Sequence, residues 1–144
     1  MSIVLRTAQV GDALALEALI FELIGRHNDS AALAAQVEKM AAHPDYCLLV
    51  ACQDEQILGS AMGIRCMDLC YGDAPFLLIE NVIITQTAQG HGIGRKLLDH
   101  LEHWAIASGC TSAILVSSAF RTDAHAFYRA VGYTQEGGFR KMFV

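Results

Sequence analysis

Charge, proline and paired cysteine are all scarce in this sequence. Charged residues make up 17% of the 144, and only two prolines occur. Set against 53% hydrophobic residues, so low a charge fraction excludes intrinsic disorder, because a chain this apolar collapses. No apolar run approaches the roughly 18 residues of a membrane-spanning helix. The first residues, Met1-Ser2-Ile3-Val4-Leu5-Arg6, carry neither the basic stretch nor the long apolar stretch of a signal peptide. A basic face is missing too. Ten Lys and Arg against fifteen Asp and Glu give a net charge of -5, which argues against a nucleic-acid partner. The five cysteines include no CxxC pair, Cys66 and Cys70 being the closest two in sequence, so neither a disulfide framework nor a zinc knuckle is expected. Together these absences predict a cytoplasmic protein with reduced thiols, no metal and no membrane partner.

What is present points to one domain over 1–144, because either half alone is too short for its own core. Ile3–Arg6 reads as a strand, and Asp12 as the cap of a helix with Leu16, Leu19, Ile20, Leu23 and Ile24 on one face. Ser30 is the expected cap of a second helix through Leu33, Val37 and Met40, stopped by Pro44-Asp45. Tyr46–Cys52 and Ile57–Ile64 form a predicted antiparallel hairpin across Asp54-Glu55-Gln56. Phe76–Ile84 is the most strand-like segment, and a helix follows with Leu97, Leu98, Leu101, Trp104 and Ala105 on its apolar face. A strand at Ala113–Val116, a helix capped by Thr122 or Asp123, and a terminal hairpin about Gly137-Gly138 complete the reading. The order β-α-α-β-β-β-α-β-α-β defines a mixed α/β fold with a six- to seven-stranded sheet and about four helices.

Between the strongest strand and the strongest helix lies Gln89-Gly90-His91-Gly92-Ile93-Gly94-Arg95-Lys96. Three glycines let several backbone N–H groups converge, and the helix start adds unpaired donors and the positive end of its dipole. Such a loop suits a phosphate or pyrophosphate, with Arg95 and Lys96 adding full charges at its rim. No G-x-x-x-x-G-K-[ST] run exists, and the spacing G-x-G-x-G departs from the dinucleotide fingerprint G-x-G-x-x-G.

The loop matches [Q/R]-x-x-G-x-[G/A], and Ala124-His125-Ala126-Phe127-Tyr128-Arg129-Ala130-Val131-Gly132-Tyr133 matches A-x-x-F-Y-x-x-x-G-[F/Y]. In this order and frame the chain resembles the GNAT superfamily of N-acetyltransferases. It departs from the family at Arg121, where Asn is frequent. The segment Ser117–Tyr128 is further similar to the subgroup containing aminoalkylphosphonate N-acetyltransferases. The resemblance implies acetyl-CoA as cosubstrate and a small-molecule primary amine as acceptor, joined by direct attack in a ternary complex. A protein or peptide N-acetyltransferase and a non-catalytic coenzyme A-binding sensor are the alternatives.

The same resemblance implies the roles of individual residues. Tyr128 stands where many members carry their general acid, and a phenol is protonated at neutral pH. Glu80 stands where several carry a base, and it is the only carboxylate in the apolar run 76–84. Val82, Ile83 and Ile84 are expected to face the pantetheine arm with backbone groups, one N–H there serving as oxyanion donor. Gln89, Gly90, His91, Gly92, Ile93, Gly94, Arg95 and Lys96 would hold the phosphates, with Ser117 and Arg121 also against the coenzyme. Residues 25–30 and the loop Cys66–Pro75 are the expected acceptor-specificity regions. There Asp68 and Asp73 would favour a cationic amine, and Arg65 a phosphonate. A homodimer is compatible with the apolar composition.

Overall fold

The computed structural model describes residues 2–118 and 121–144. The sheet runs in the order β1-β2-β3-β4-β5, with β1 at Val4–Thr7, β2 at Tyr46–Gln53, β3 at Gln56–Cys66, β4 at Phe76–Ile84 and β5 at Ala113–Leu115. Helices α1 (Ala13–Ile24), α2 (Ser30–Ala42), α3 (Ile93–Ala107) and α4 (Thr122–Ala130) accompany it. The chain divides into two compact units, Met1–Ile114 and Leu115–Val144, each described by itself below.

In the first unit β1 through β4 pair antiparallel, as hairpin connections dictate. Helix α3 then carries the chain from β4 to β5, the crossover that makes the sheet mixed. Its buried residues Ile93, Leu97, Leu98, Leu101 and Ala105 trace one helical stripe. They pack on one face of the sheet, where Gly63 of β3 lies under Leu101 and Trp104. Helices α1 and α2 cover the opposite face. There Leu16 and Val37 join Ala8, Val50 and Cys52 in a core cluster.

Two expected caps fall on other residues. Asp12 makes no side-chain cap for α1. Its carboxylate instead closes a short 3-10 turn, accepting from the Gln9 backbone N–H at 2.7 Å, and takes two bonds from the Arg6 guanidinium at 2.7 and 2.9 Å. A formal positive charge beside it competes more strongly than an uncharged helix N–H. Helix α2 is capped by Asp29 rather than Ser30, with the carboxylate accepting from Ala31 and Ala32 N–H groups. That carboxylate lies one residue upstream, where the geometry for reaching the second and third amides is right.

The second unit contains α4 and the residues after it. Arg121, not Thr122 or Asp123, occupies the cap position of α4, and no side-chain cap forms. The terminal hairpin is also corrected. Among the described residues none from 131 to 144 is in a strand, so five strands replace the expected six or seven. The helix instead winds off through Val131, Gly132 and Tyr133, whose N–H groups return to Phe127, Arg129 and Tyr128. The Arg129 side chain then takes Gln135. A two-stranded hairpin is marginal on its own, and Arg140-Lys141 breaks the apolar alternation of its second arm.

Candidate active site

The registers on either side of Asn81 locate an irregularity in β4. Ser60 pairs with Ile83 while Met62 pairs with Glu80, so β4 spends one residue more than β3 over the same interval. The surplus is a β-bulge, and Asn81 sits in it with φ 55°. Asparagine tolerates this left-handed conformation better than the β-branched residues around it. A bulge leaves backbone groups out of the ladder and re-aims the neighbouring side chains. Glu80, on its near side, is half-buried. Among the described residues its carboxylate has no hydrogen-bond or ion-pair partner. Val82 and Ile84 are half-buried and Ile83 buried.

Past Ile84 the chain makes a 3-10 turn at Gln86–Ala88 and enters the glycine loop. Gln89 Nε2 donates back to the Ile84 carbonyl at 3.1 Å, closing the loop over the end of β4. His91 turns inward on the same loop, its Nδ1 within 3.2 Å of the Ala88 carbonyl and 3.0 Å of Gln89's. Gly90 and Gly92 adopt φ 82° and 80°, and Gly92 is the N-cap of α3. The first bond into the helix is Lys96 N–H to the Gly92 carbonyl at 3.1 Å. The amides of Ile93, Gly94 and Arg95 are therefore the orphan donors that every helix start presents. Gly94 is half-buried, and Arg95 and Lys96 are exposed beside it. The loop thus brings its eight residues together at one helix end, immediately after Val82–Ile84.

Sequence reasoning missed the group that anchors this loop to the neighbouring helix. Glu22 of α1 accepts from Thr85 Oγ1 at 2.8 Å and from the Gln86 N–H at 3.0 Å. Contacts that span 63 and 64 residues leave no local signal. The bulge did leave one, since an Asn inside an apolar run is depleted in regular strands.

Of the expected acceptor regions, 25–30 is held to α1: the His27 ring lies 2.8 Å from Glu17 Oε1 and stacks on Phe21 at 4.2 Å. Arg65 is already committed, donating to the Ser108 carbonyl at 3.1 Å and to Asp45 at 3.3 Å. It offers no open charge to a phosphonate. Met67, Leu69 and Tyr71 stand exposed on the 66–75 loop.

In the second unit, Tyr128 is half-buried and packs edge-on against Tyr133 at 6.2 Å. Burial pushes its phenol above the ordinary value, with the Arg121 charge opposing weakly, so it carries its proton throughout the neutral range. His125 Nε2 lies 2.8 Å from the Ser118 carbonyl. Among the described residues the Ser117 hydroxyl is buried without a partner. Residues 119 and 120 of the Ser117–Tyr128 segment lie outside the described residues.

These elements define an α/β acyl-transfer fold with a backbone anion cradle beside a bulged strand. The model of the acetyltransferase (GNAT) family matches residues 15–133, and the chain belongs to that family, whose acyl donor is acetyl-CoA. A curated relative, the IAA acetyltransferase of Azospirillum brasilense, is 29% identical over 98 residues, 68% of this chain. The chain spans 61% of that relative's length. A protein of Agrobacterium tumefaciens strain C58 named as an acetyltransferase superimposes with a TM-score of 0.87 at 25% identity, covering 96% of this chain and 98% of its own. A transcriptional regulator of Bacillus halodurans C-125 reaches 0.91 at 24% identity, over 99% of this chain and 100% of its own, and shows the fold alone.

The donor's phosphates fit the residues present. A Cβ built at Gly90 or Gly92 meets nothing within 4 Å among the described residues, so the space in front of these backbones is open among them. The unpaired amides of Ile93, Gly94 and Arg95 beside it carry partial positive charge at the start of a 15-residue helix.

Proposed function

We propose that this chain transfers the acetyl group of acetyl-CoA to a primary amine of a small molecule by direct attack in a ternary complex. The observation that carries the reading is the juxtaposition within one unit of the β4 bulge, the Glu80 carboxylate beside it, and the amide cradle at Gly90–Lys96. Acetyl-CoA supplies the activated acetyl thioester. The chain's residues have three tasks. Gln89, Gly90, His91, Gly92, Ile93, Gly94, Arg95 and Lys96 would hold the phosphates, mostly through backbone N–H groups, with Ser117 and Arg121 proposed as further coenzyme contacts. Val82, Ile83 and Ile84 would meet the pantetheine amides, and an N–H released by the bulge near Val82 would stabilise charge developing on the carbonyl oxygen. Glu80 would take the proton of the attacking ammonium directly or through water, and Tyr128 would give its own to the departing sulfur.

Exposed Asp73 on the 66–75 loop and the committed Arg65 favour an amine over an anionic acceptor. The experiment is a thiol-release assay with acetyl-CoA and a panel of amines and peptides. Tyr128→Phe is expected to lower kcat by roughly 100-fold or more with acetyl-CoA affinity unchanged, whereas Gly92→Val is expected to weaken acetyl-CoA binding. Unchanged turnover would remove Tyr128 from the mechanism, and normal coenzyme affinity would remove the loop. Peptides acetylated in preference to every small amine would reassign the acceptor class.

A further inference from the structure

On the α1/α2 side of the sheet, walled by Leu16, Ile20, Leu33, Met62, Ile83 and Asn81, lies a cavity of about 100 Å³. Asn81 is the bulge residue and directly follows Glu80, so the cavity abuts the strand irregularity where the transfer is placed above. Its remaining apolar wall comes from Val37, Met40 and Leu48, and among the described residues no charged side chain lines it. Only three lining residues are polar. The Ser60 hydroxyl is spent, donating to the Leu49 carbonyl at 2.8 Å. That leaves the neutral amides of Gln36 and Asn81.

We propose that this cavity receives the tail of the acceptor, which is a monoamine bearing an uncharged aliphatic group of about four carbons. The proposal rests on the reading of the β4 bulge as the reaction centre and names the acceptor class for it. Three physical features set the class. An ammonium or phosphonate on the tail would lose its hydration with no opposite charge to meet it, a penalty of several kcal/mol in proteins. An aliphatic group gains the transfer free energy of each methylene it buries. The volume sets the length: a cavity of about 150 Å³ accepts benzene, so about 100 Å³ fits a smaller, flexible group. Two methionines in the wall, Met40 and Met62, let it adapt to a branched or a linear tail.

The test is a series of linear primary amines from ethylamine to hexylamine, with 1,4-diaminobutane as the charged counterpart, assayed with acetyl-CoA by thiol release. A buried methylene worth about 0.8 kcal/mol corresponds to a roughly fourfold gain in kcat/KM per carbon. That rise is expected up to about butylamine or pentylamine and then stops. The diamine is expected to fall at least tenfold below butylamine. A flat profile, or preference for the diamine, an aminosugar or an aminoalkylphosphonate, overturns the proposal. Leu33→Phe, which grows into the cavity from a half-buried position, is expected to bring the butylamine-to-ethylamine ratio toward one. A ratio unchanged in this variant overturns the assignment of the cavity.

Methyl NMR of the methionine-labelled chain tests the same point without turnover. Butylamine is expected to shift the Met40 and Met62 methyl resonances while leaving exposed Met67 and Met142 in place, and 1,4-diaminobutane is expected to shift none. No response at Met40 and Met62 overturns the proposal. Shifts there with no amine acetylated would sustain the cavity and sink the transferase reading. Turnover without chain-length dependence would do the reverse.

Discussion

Against α3 the sheet presents Gly63, where a Cβ would come within 2.9 Å of Leu101 Cδ2 and 3.0 Å of Leu77 Cδ1. Against α1 and α2 the same strand presents Ser60 and Met62, and about 100 Å³ stays empty beside them. One face is packed so closely that β3 must give up its side chain. The other is left incomplete next to a bulge. The tight face fixes α3 and so aims the helix start proposed to cradle the donor, while the loose face leaves room for the proposed tail of the acceptor. Close packing is concentrated next to the helix whose first amides are proposed to hold the phosphates, as a preorganised anion site requires.

The strongest way to break this comparison is to open the tight face. Leu101 is fully buried, and Leu101→Ala is expected to cost about 3 kcal/mol, lost burial plus a cavity that its rigid neighbours cannot close. Urea unfolding measures it. A cost below about 1 kcal/mol would show that the α3 face relaxes as easily as the other. Adding volume sharpens the contrast further. Gly63→Ala is expected to destabilise by about 2 kcal/mol through overpacking, whereas Leu33→Phe on the loose face is expected to change stability by no more than about 0.5 kcal/mol. Equal costs would erase the difference between the faces.

Much of the tight face was legible in the sequence, and little of the loose one was. Phe76–Ile84 is a nine-residue apolar run, and the spacing of Leu97, Leu98, Leu101 and Ala105 is helical, so β4, α3 and the loop between them follow from local pattern. The cavity has no local pattern. Ile20, Leu33, Met62 and Ile83 come from four elements, and each alone reads as ordinary core. Caps were misassigned because a cap is decided by which oxygen reaches which amide, and Asp12 had a stronger partner in Arg6. The terminal hairpin was inferred from a Gly-Gly turn, which permits a reversal without supplying strands to pair.

The loose face depends on how α1 is held, and Asp12 holds it through Arg6. Its carboxylate is kept below the ordinary aspartate range by the Arg6 guanidinium, with the Gln9 amide assisting. A folded pKa below the unfolded one means that the contribution is complete above roughly pH 5 and is lost as pH falls through the folded value. Asp12→Ala is therefore expected to cost about 1.5 kcal/mol at pH 7, a charged hydrogen bond discounted for the partly exposed Arg6. The gap between variant and parent should narrow as the solution is acidified. A gap that persists undiminished at pH 2 would mean that the carboxylate's charge contributes nothing.

The smallest effect belongs to the cap of α2, the helix that supplies Leu33, Val37 and Met40 to the cavity wall. Asp29 accepts from Ala31 and Ala32 at 3.4 and 3.3 Å, long distances that put the cap at the weaker end of its range. Asp29→Ala is expected to cost about 0.5–1 kcal/mol in thermal or urea unfolding, and Ser30→Ala next to nothing. Because α2 packs chiefly on α1, β2 and the turn before α1, fraying its first turn should alter the amine chain-length profile while leaving acetyl-CoA affinity alone. Weaker acetyl-CoA binding in Asp29→Ala would show that the two faces are coupled through the sheet, and that the looseness of one is felt at the donor cradle of the other.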